Sequence, residues 1–269
     1  MISLPKFDFI IHNVGITKAL RKNSFFEINY QYTKNFIEAL SKSNQNISKF
    51  VYISSLSAGG PGNKDLSSPI SIHNTSLPIS NYGLSKLQAE QFIINQSDLP
   101  YLIVRPTAVY GPRDKDFLQL FKLLNYHLDL MIGSHKQTLS FIYVKDLSRL
   151  TFDLLEPSII NKTYIASDGN AYDKTAMSNM IADIMQKRIF RVYIPIILAK
   201  MIAAISENIS RINGKASVLN IEKIKEFSEN NWNCDISPLI NDINFLPKYS
   251  LEQGLKETIA WYKENAWMK

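Results

Sequence analysis

Short apolar runs alternate along this chain with longer stretches in which apolar residues recur every three or four positions. Phe7–Val14, Lys49–Ser55 (KFVYISS), Leu99–Arg105 and Thr163–Ala166 have the length and the β-branched and aromatic content of strands buried on both faces. Ser24, with Glu27 three residues on, forms a capping-box pattern and predicts a helix running to about Leu40. Ser80 or Asn81 caps a second helix reaching about Asn95, and Pro106 ends the third strand. Helices are predicted over Asp116–His127 and Lys145–Leu155, with an extended piece at Ser140–Val144 between them. From Tyr172 onward the pattern is nearly all helical, closing with an amphipathic helix from Ser250 to about Asn265. Gly59–Ser80, rich in Gly, Pro, Ser and Asn, reads as a loop longer than compact domains carry without a functional reason.

Repeated strand–helix units predict an α/β fold of Rossmann-like, doubly wound type, a parallel sheet covered on both faces. The helical last third predicts a lobe over the carboxyl ends of the strands, where open α/β sheets bind ligands. The bulk numbers (269 residues, 45% hydrophobic, 20% charged) fit a globular chain with a sizeable core. A net charge of +6 and a pI near 9.1 raise a nucleic-acid reading. The basic residues are spread out, however, and lack an aromatic stacking pattern, so a solvated surface is expected and no nucleic-acid partner. A single cysteine, Cys234, excludes an intrachain disulfide and suits a reducing cytoplasm. No signal-peptide pattern opens the chain. The most apolar stretch, Val192–Ile205, is about 14 residues and contains Lys200, short for a membrane span. A buried or groove-lining helix is expected there, with an interfacial membrane helix as the alternative.

The sharpest chemical signal is Tyr82-Gly83-Leu84-Ser85-Lys86 at a helix start. Four residues apart, the phenol and the ammonium lie on one helix face, one turn apart. A lysine held near a phenol favours the phenolate, which makes Tyr82 a candidate acid/base for a hydroxyl that is losing hydride from its carbon. Alone this spacing is weak, since such pairs occur by chance in many helices. Its neighbours strengthen it: Ser54 and Ser55 end the strand FVYISS, and Arg105-Pro106-Thr107-Ala108-Val109-Tyr110-Gly111-Pro112 ends the next. The four histidines and one cysteine show no metal-ligand spacing, so no metal is expected.

The ordered set IIHNVG, EINYQYTKNFIEA, FVYISSLSA, YGLSK, VRPTAVYGP and FIYVKDL, with the ending FLPKYSLEQGLKETIAWYKENAW, resembles the extended short-chain dehydrogenases/reductases from about Phe7 to Trp267. The resemblance implies an NAD(P)-dependent epimerase, dehydratase or reductase with Tyr82 as acid/base, Lys86 binding the nicotinamide ribose and Ser55 bonding the reacting oxygen. It also implies cofactor contacts from the turn His12, Asn13, Val14, Gly15, from Asn29 and Ser54, and from Pro106 and Thr107 flanking the nicotinamide. Plainer readings stand beside these: Asn29 packing within its helix, His12 as a satisfied core residue, Asp146 as a helix N-cap. The implied division is a partial NAD(P)-binding domain over 1–167 and a mainly helical substrate lobe over 168–269. The family's habit implies a homodimer through helices 24–40 and 81–95.

The family's Gly-x-x-Gly-x-x-Gly turn, which opens a helix under the cofactor pyrophosphate, is absent from this sequence. Two strand–helix units, about 60 residues, would precede Phe7 in a complete member. The expectation is therefore an open edge at the first strand, a tendency to self-associate, and weak or no binding of NAD or NADP by the chain alone. A misplaced start, a trimmed chain and a decayed gene remain open, as does NAD against NADP. RPTAVYGP places Ala108 where many sugar-nucleotide enzymes carry asparagine, so a nucleotide sugar and a steroid- or flavonoid-like substrate both remain open. The rival from another class is a non-catalytic binding or assembly protein that kept the fold. A third reading is a membrane-surface enzyme for a lipid or sterol-like substrate.

Overall fold

The computed structural model describes residues 6–43, 46–66, 68–96, 98–156, 158–214, 217 and 220–268. Strand β1 (Phe9–His12) leads through a turn to α1 (Lys22–Phe25), a π-helical segment (Phe26–Gln31) and α2 (Tyr32–Lys42). Strand β2 (Lys49–Ile53) runs into the one-turn helix α3 (Leu56–Gly59), and a long crossing segment precedes α4 (Asn81–Ile94). Then come β3 (Tyr101–Pro106), β4 (Ala108–Tyr110), α5 (Phe117–Asn125), β5 (Leu128–Ile132), β6 (Thr138–Leu139) and β7 (Phe141–Tyr143). They are followed by α6 (Val144–Asp153), β8 (Lys162–Ala166), β9 (Tyr172–Asp173), α7 (Ala176–Ile184) and β10 (Phe190–Ile194). The chain closes with α8 (Ile196–Asn213), α9 (Ile221–Phe227), β11 (Asn231–Trp232), α10 (Ser237–Ile243) and α11 (Leu251–Glu264).

The main sheet is β1-β2-β3-β8, parallel throughout, with Ile10 opposite Phe50, Val51 opposite Leu102 and Val104 opposite Tyr164. Side chains alternate across a strand, so β2 and β3 feed two cores at once. Phe50, Tyr52 and Ile103 pack on Ile37, Ala89 and Ile93 of α2 and α4. Val51, Leu102 and Val104 pack on Leu150, Leu154 and Leu239 of the opposite layer. This is the doubly covered parallel sheet expected from the apolar runs. Among the described residues β1 is an outer strand, with Phe9 and Ile11 exposed at its edge.

Three expectations change. Ser24 is not a cap: Arg21, in extended conformation, precedes the helix, which starts at Lys22, and no capping box forms. The division at residue 167 does not separate two cores. Tyr110, Phe121, Phe141 and Tyr143 pack in one cluster with Met177, Ile181, Leu255 and Tyr262, so the second core is shared between both halves of the sequence. That lobe is also not nearly all helical, because β10 pairs in parallel with β5 and β9 with β6.

Asp146 also departs from its expected role. Tyr143 is the N-cap of α6, and Asp146 lies buried in the first turn. Its carboxylate accepts the backbone N–H groups of Lys248 and Tyr249 at 3.0 Å and an Arg149 N–H at 2.9 Å. It therefore pins the segment that leads into α11. Asp146→Ala would leave two backbone donors without a partner, at about 1–3 kcal/mol each when they stay buried. The expected result is a urea midpoint lowered by the equivalent of about 3 kcal/mol, with Asp146→Asn losing less. An Ala variant as stable as the parent would remove this role.

Candidate active site at the carboxyl edge of the sheet

The site is assembled where β2 gives way to α3 and where α4 begins. Ser80 caps α4 with its Oγ, which accepts the Gly83 N–H at 3.1 Å. A Cβ on Gly83 would stand 2.3 Å from the Ser57 carbonyl oxygen, so glycine permits α3 and α4 to touch backbone to backbone. That contact brings the start of α4 down on Ser55. Ser55 is the N-cap of α3, its Oγ accepting Ser57 N–H at 3.2 Å, and its hydroxyl is near enough to the Tyr82 phenol to oppose the upward push of burial on it. The Tyr82 ring leans on Phe25 at 6.3 Å between centroids.

Lys86 follows one turn along α4 and is buried. Its Nζ donates to the Ile53 carbonyl at 2.8 Å and lies 4.8 Å from the centre of the Tyr52 ring. A Cβ on Gly15 would come within 3.0 Å of both Lys86 Nζ and Asn29 Oδ1, so the turn after β1 closes directly over the ammonium. Burial dominates the electrostatics. The Tyr82 phenol is pushed up to about 12, first by burial and further by the Glu226 charge, while Ser55 pulls the other way. Lys86 is pulled down to about 8 by burial, with Glu90 opposing. The expected lowering of Tyr82 by Lys86 is thus not what this geometry gives: the ammonium is turned toward the Ile53 carbonyl and the Tyr52 ring.

The other residues singled out from the sequence divide. Asn29, in the π-helical segment, is fully buried and fully engaged. Its Oδ1 accepts Ile16 N–H at 2.8 Å, and its Nδ2 donates to the Ile16 carbonyl at 3.1 Å and to Ser85 Oγ at 3.0 Å. It clamps the Asn13–Val14–Gly15 turn to α4 and offers no free group to a ligand. His12 is a core residue: its Nε2 pairs with Thr33 Oγ1 at 3.0 Å and its ring stacks among Phe36, Phe50 and Tyr52. Burial, and then Lys86, hold it down at about 4, so it stays neutral. Ser54 faces away from Ser55, as successive strand residues must, and donates to Glu90. Pro106 and Thr107 end β3 at the same sheet edge, Thr107 donating to the Ala166 carbonyl at 3.2 Å.

The profile of the NAD dependent epimerase/dehydratase family matches residues 3–164, more than half of the chain. The chain belongs to that family. A UDP-glucose 4-epimerase of Vibrio cholerae is 26% identical over 221 residues, covering 79% of this chain and 62% of that protein. A ceramide reductase of Caulobacter vibrioides is 26% identical over 266 residues, covering 97% of this chain and 76% of its own length. The chain thus spans less than two thirds of the first of these relatives. Among solved structures, a UDP-glucuronic acid 4-epimerase of Bacillus cereus in complex with NAD superposes with a TM-score of 0.75 at 21% identity, over 96% of this chain and 75% of that one.

An epimerase/dehydratase family member implies a dinucleotide, and the residues present fit one end of it. The exposed Asn13–Gly15 turn, Lys86, Tyr82 and Ser55 form a continuous edge that would hold a nicotinamide and its ribose. No glycine-rich turn opening a helix lies beside β1 among the described residues. Nor is any group of three His, Cys, Asp or Glu side chains placed among them to hold a metal ion.

Sequence reasoning missed three charged residues that support this family member's site. Glu90, one further turn along the Tyr82–Lys86 face, takes two Arg105 nitrogens, Nη2 at 2.6 Å and Nε at 3.0 Å. Its spacing, four after Lys86, was visible. From α9, Glu226 accepts from Ser80 Oγ at 2.7 Å and Glu222 accepts the Asn81 N–H at 3.2 Å. Both carboxylates thereby sit at the positive N-terminal end of α4. Only tertiary packing shows this pair, because about 140 residues separate them from the helix they cap.

Proposed function

We propose that this chain carries the proton-transfer half of an NAD(P)-dependent epimerase, dehydratase or reductase acting at a hydroxyl or keto carbon of a nucleotide sugar. The observation that carries the reading is Ser55 within reach of Tyr82, with Lys86 one turn along and all three at the carboxyl edge of a parallel sheet. A dinucleotide, when bound, would accept or return hydride at the carbon bearing the reacting oxygen. Ser55 donates a hydrogen bond to that oxygen and fixes its position. Tyr82, protonated across the neutral range because burial raises it, gives its proton to a developing alkoxide and takes it back in reverse. Lys86, held at the floor of the site by the Ile53 carbonyl and the Tyr52 ring, would turn its ammonium to a ribose hydroxyl when the dinucleotide binds. The α9 carboxylates hold the start of α4, and so Tyr82, in register with Ser55.

Relatives named as acting on UDP sugars support the nucleotide-sugar reading. A second reading, an apolar hydroxy- or keto-lipid, is favoured by Ala108, exposed and unable to bond a sugar, and by the relative named ceramide reductase. Tyr32, Phe36 and Leu84 leave apolar surface on α2 and α4, which supports a homodimer through residues 24–40 and 81–95.

The test supplies millimolar NAD or NADP with UDP- and dTDP-sugars, and separately with a long-chain keto lipid, while product and reduced-nicotinamide absorbance are followed. Weak dinucleotide binding with slow conversion of a sugar nucleotide is the expected result. Conversion of the lipid alone would move the substrate to the second reading. No binding and no conversion in either set would overturn the proposal.

A further inference from the structure

The apolar stretch expected to be buried is not. Only one side of α8 is covered, where Ala199 and Ala203 pack on Ile224, with Ile132 and Ile194 beneath. The opposite side carries Ile197, Met201, Ile205, Ile209 and Ile212 at intervals of three or four, a single row along the helix. Ile197 is 76% exposed, Met201 58% and Ile212 85%. Leu198 and Ile202 widen the row. At 1.5 Å per residue this row is about 23 Å long. An exposed apolar patch of that extent marks an interaction surface.

The polar residues around it say what covers it. Lys200, on the flank of the row near its N-terminal end, is exposed. Lys200 and Lys225 share one groove with a single carboxylate, Glu229. The helix's own acid, Glu207, is turned inward and accepts the Ile221 N–H at 2.8 Å. The chain as a whole carries +6. An apolar row with cations at its margin and its acid turned away complements an anionic lipid surface. No helix among the described residues is long and apolar enough to cross a membrane, so the helix would lie along the surface.

We propose that α8 is an interfacial helix that seats the protein on anionic lipid bilayers, its isoleucine row among the acyl chains and Lys200 at the headgroups. This stands apart from the catalytic reading, because neither the proposal nor its test requires turnover.

The test is co-sedimentation with vesicles of phosphatidylcholine alone and of phosphatidylcholine mixed with phosphatidylglycerol. The parent protein should pellet with the mixed vesicles, and less as salt is raised. Met201→Glu with Ile205→Glu, both exposed positions that leave the core intact, should weaken binding more than about tenfold with an unchanged circular dichroism spectrum. Lys200→Glu should weaken binding to the mixed vesicles and leave the pure ones unaffected. Phe152→Glu, an exposed apolar position on α6, should change nothing. A parent protein that stays in the supernatant with both vesicles overturns the proposal, as does a double variant that pellets like the parent. So does a dimer in sedimentation velocity that the double substitution turns into monomer without any lipid binding, since the row would then be an interface between copies.

Discussion

Tyr82→Phe is expected to lower turnover by about a hundredfold to ten-thousandfold, the range that a positioned proton donor contributes, while leaving the unfolding midpoint close to the parent's. The substitution keeps the ring against Phe25 and deletes one hydroxyl whose neighbour is Ser55. Ser55 keeps another partner, the Ser57 N–H that it caps, so the fold has little to lose. The pH dependence follows from the direction of the shift. Burial raises the phenol to about 12, so as a proton donor it stays competent from neutral pH well into the alkaline range. As a base, in the direction that oxidises a hydroxyl, it must first lose that proton, and the rate should climb with pH. Lys86, pulled down to about 8, loses its charge on the way, which should flatten the climb above that pH. A phenylalanine variant with parental turnover and the parental profile would show that the proton moves elsewhere.

The parts of this molecule that local pattern determines were legible in the sequence. The apolar runs of β2 and β3 are buried on both faces because helices cover both sides, and such runs show as unbroken hydrophobic segments. Ser80 was legible as a cap because a hydroxyl ahead of an amphipathic run satisfies backbone donors of the first turn. Ser24 failed on the same rule: an extended Arg21 starts the helix three residues early, and the register that places Asn29 against Ile16 and Ser85 sets the rest. Asn29 and His12, expected at the cofactor, both spend polar atoms on the protein itself. What local pattern cannot carry is orientation at long range. Glu222 and Glu226 meet α4 only through the folded lobe, and Val192–Ile205 looks equally apolar whether its outer face is covered or open. The sequence also places Lys86 one turn from Tyr82 without revealing that the Ile53 carbonyl and the Tyr52 ring draw the ammonium away.

Glu90→Ala is expected to be the most destabilising single change in the sheet–helix core, because it removes one half of a buried ion pair. Glu90 is 1% exposed and Arg105 6%, and the guanidinium meets the carboxylate through Nε and Nη2 while Ser54 donates to the same carboxylate. Truncation leaves the Arg105 charge buried with only Ser76 Oγ at 3.1 Å as a polar partner, and leaves the Ser54 hydroxyl without its acceptor. Breaking such a pair costs about 3–5 kcal/mol, a large share of the roughly 5–15 kcal/mol that holds a domain folded. Replacing both partners by apolar residues of similar volume, Glu90→Leu with Arg105→Met, should recover much of that loss, because the penalty lies in the orphaned charge. The site should suffer as well. Glu90 is the charge that opposes the fall of Lys86, so without it Lys86 drops below about 8 and is increasingly neutral in a neutral buffer. The double apolar variant should therefore regain stability and not turnover. Chemical denaturation with a parallel activity measurement checks both halves: a single variant within about 1 kcal/mol of the parent would show that water reaches Arg105, and a double variant with parental turnover would show that Lys86 does not depend on Glu90.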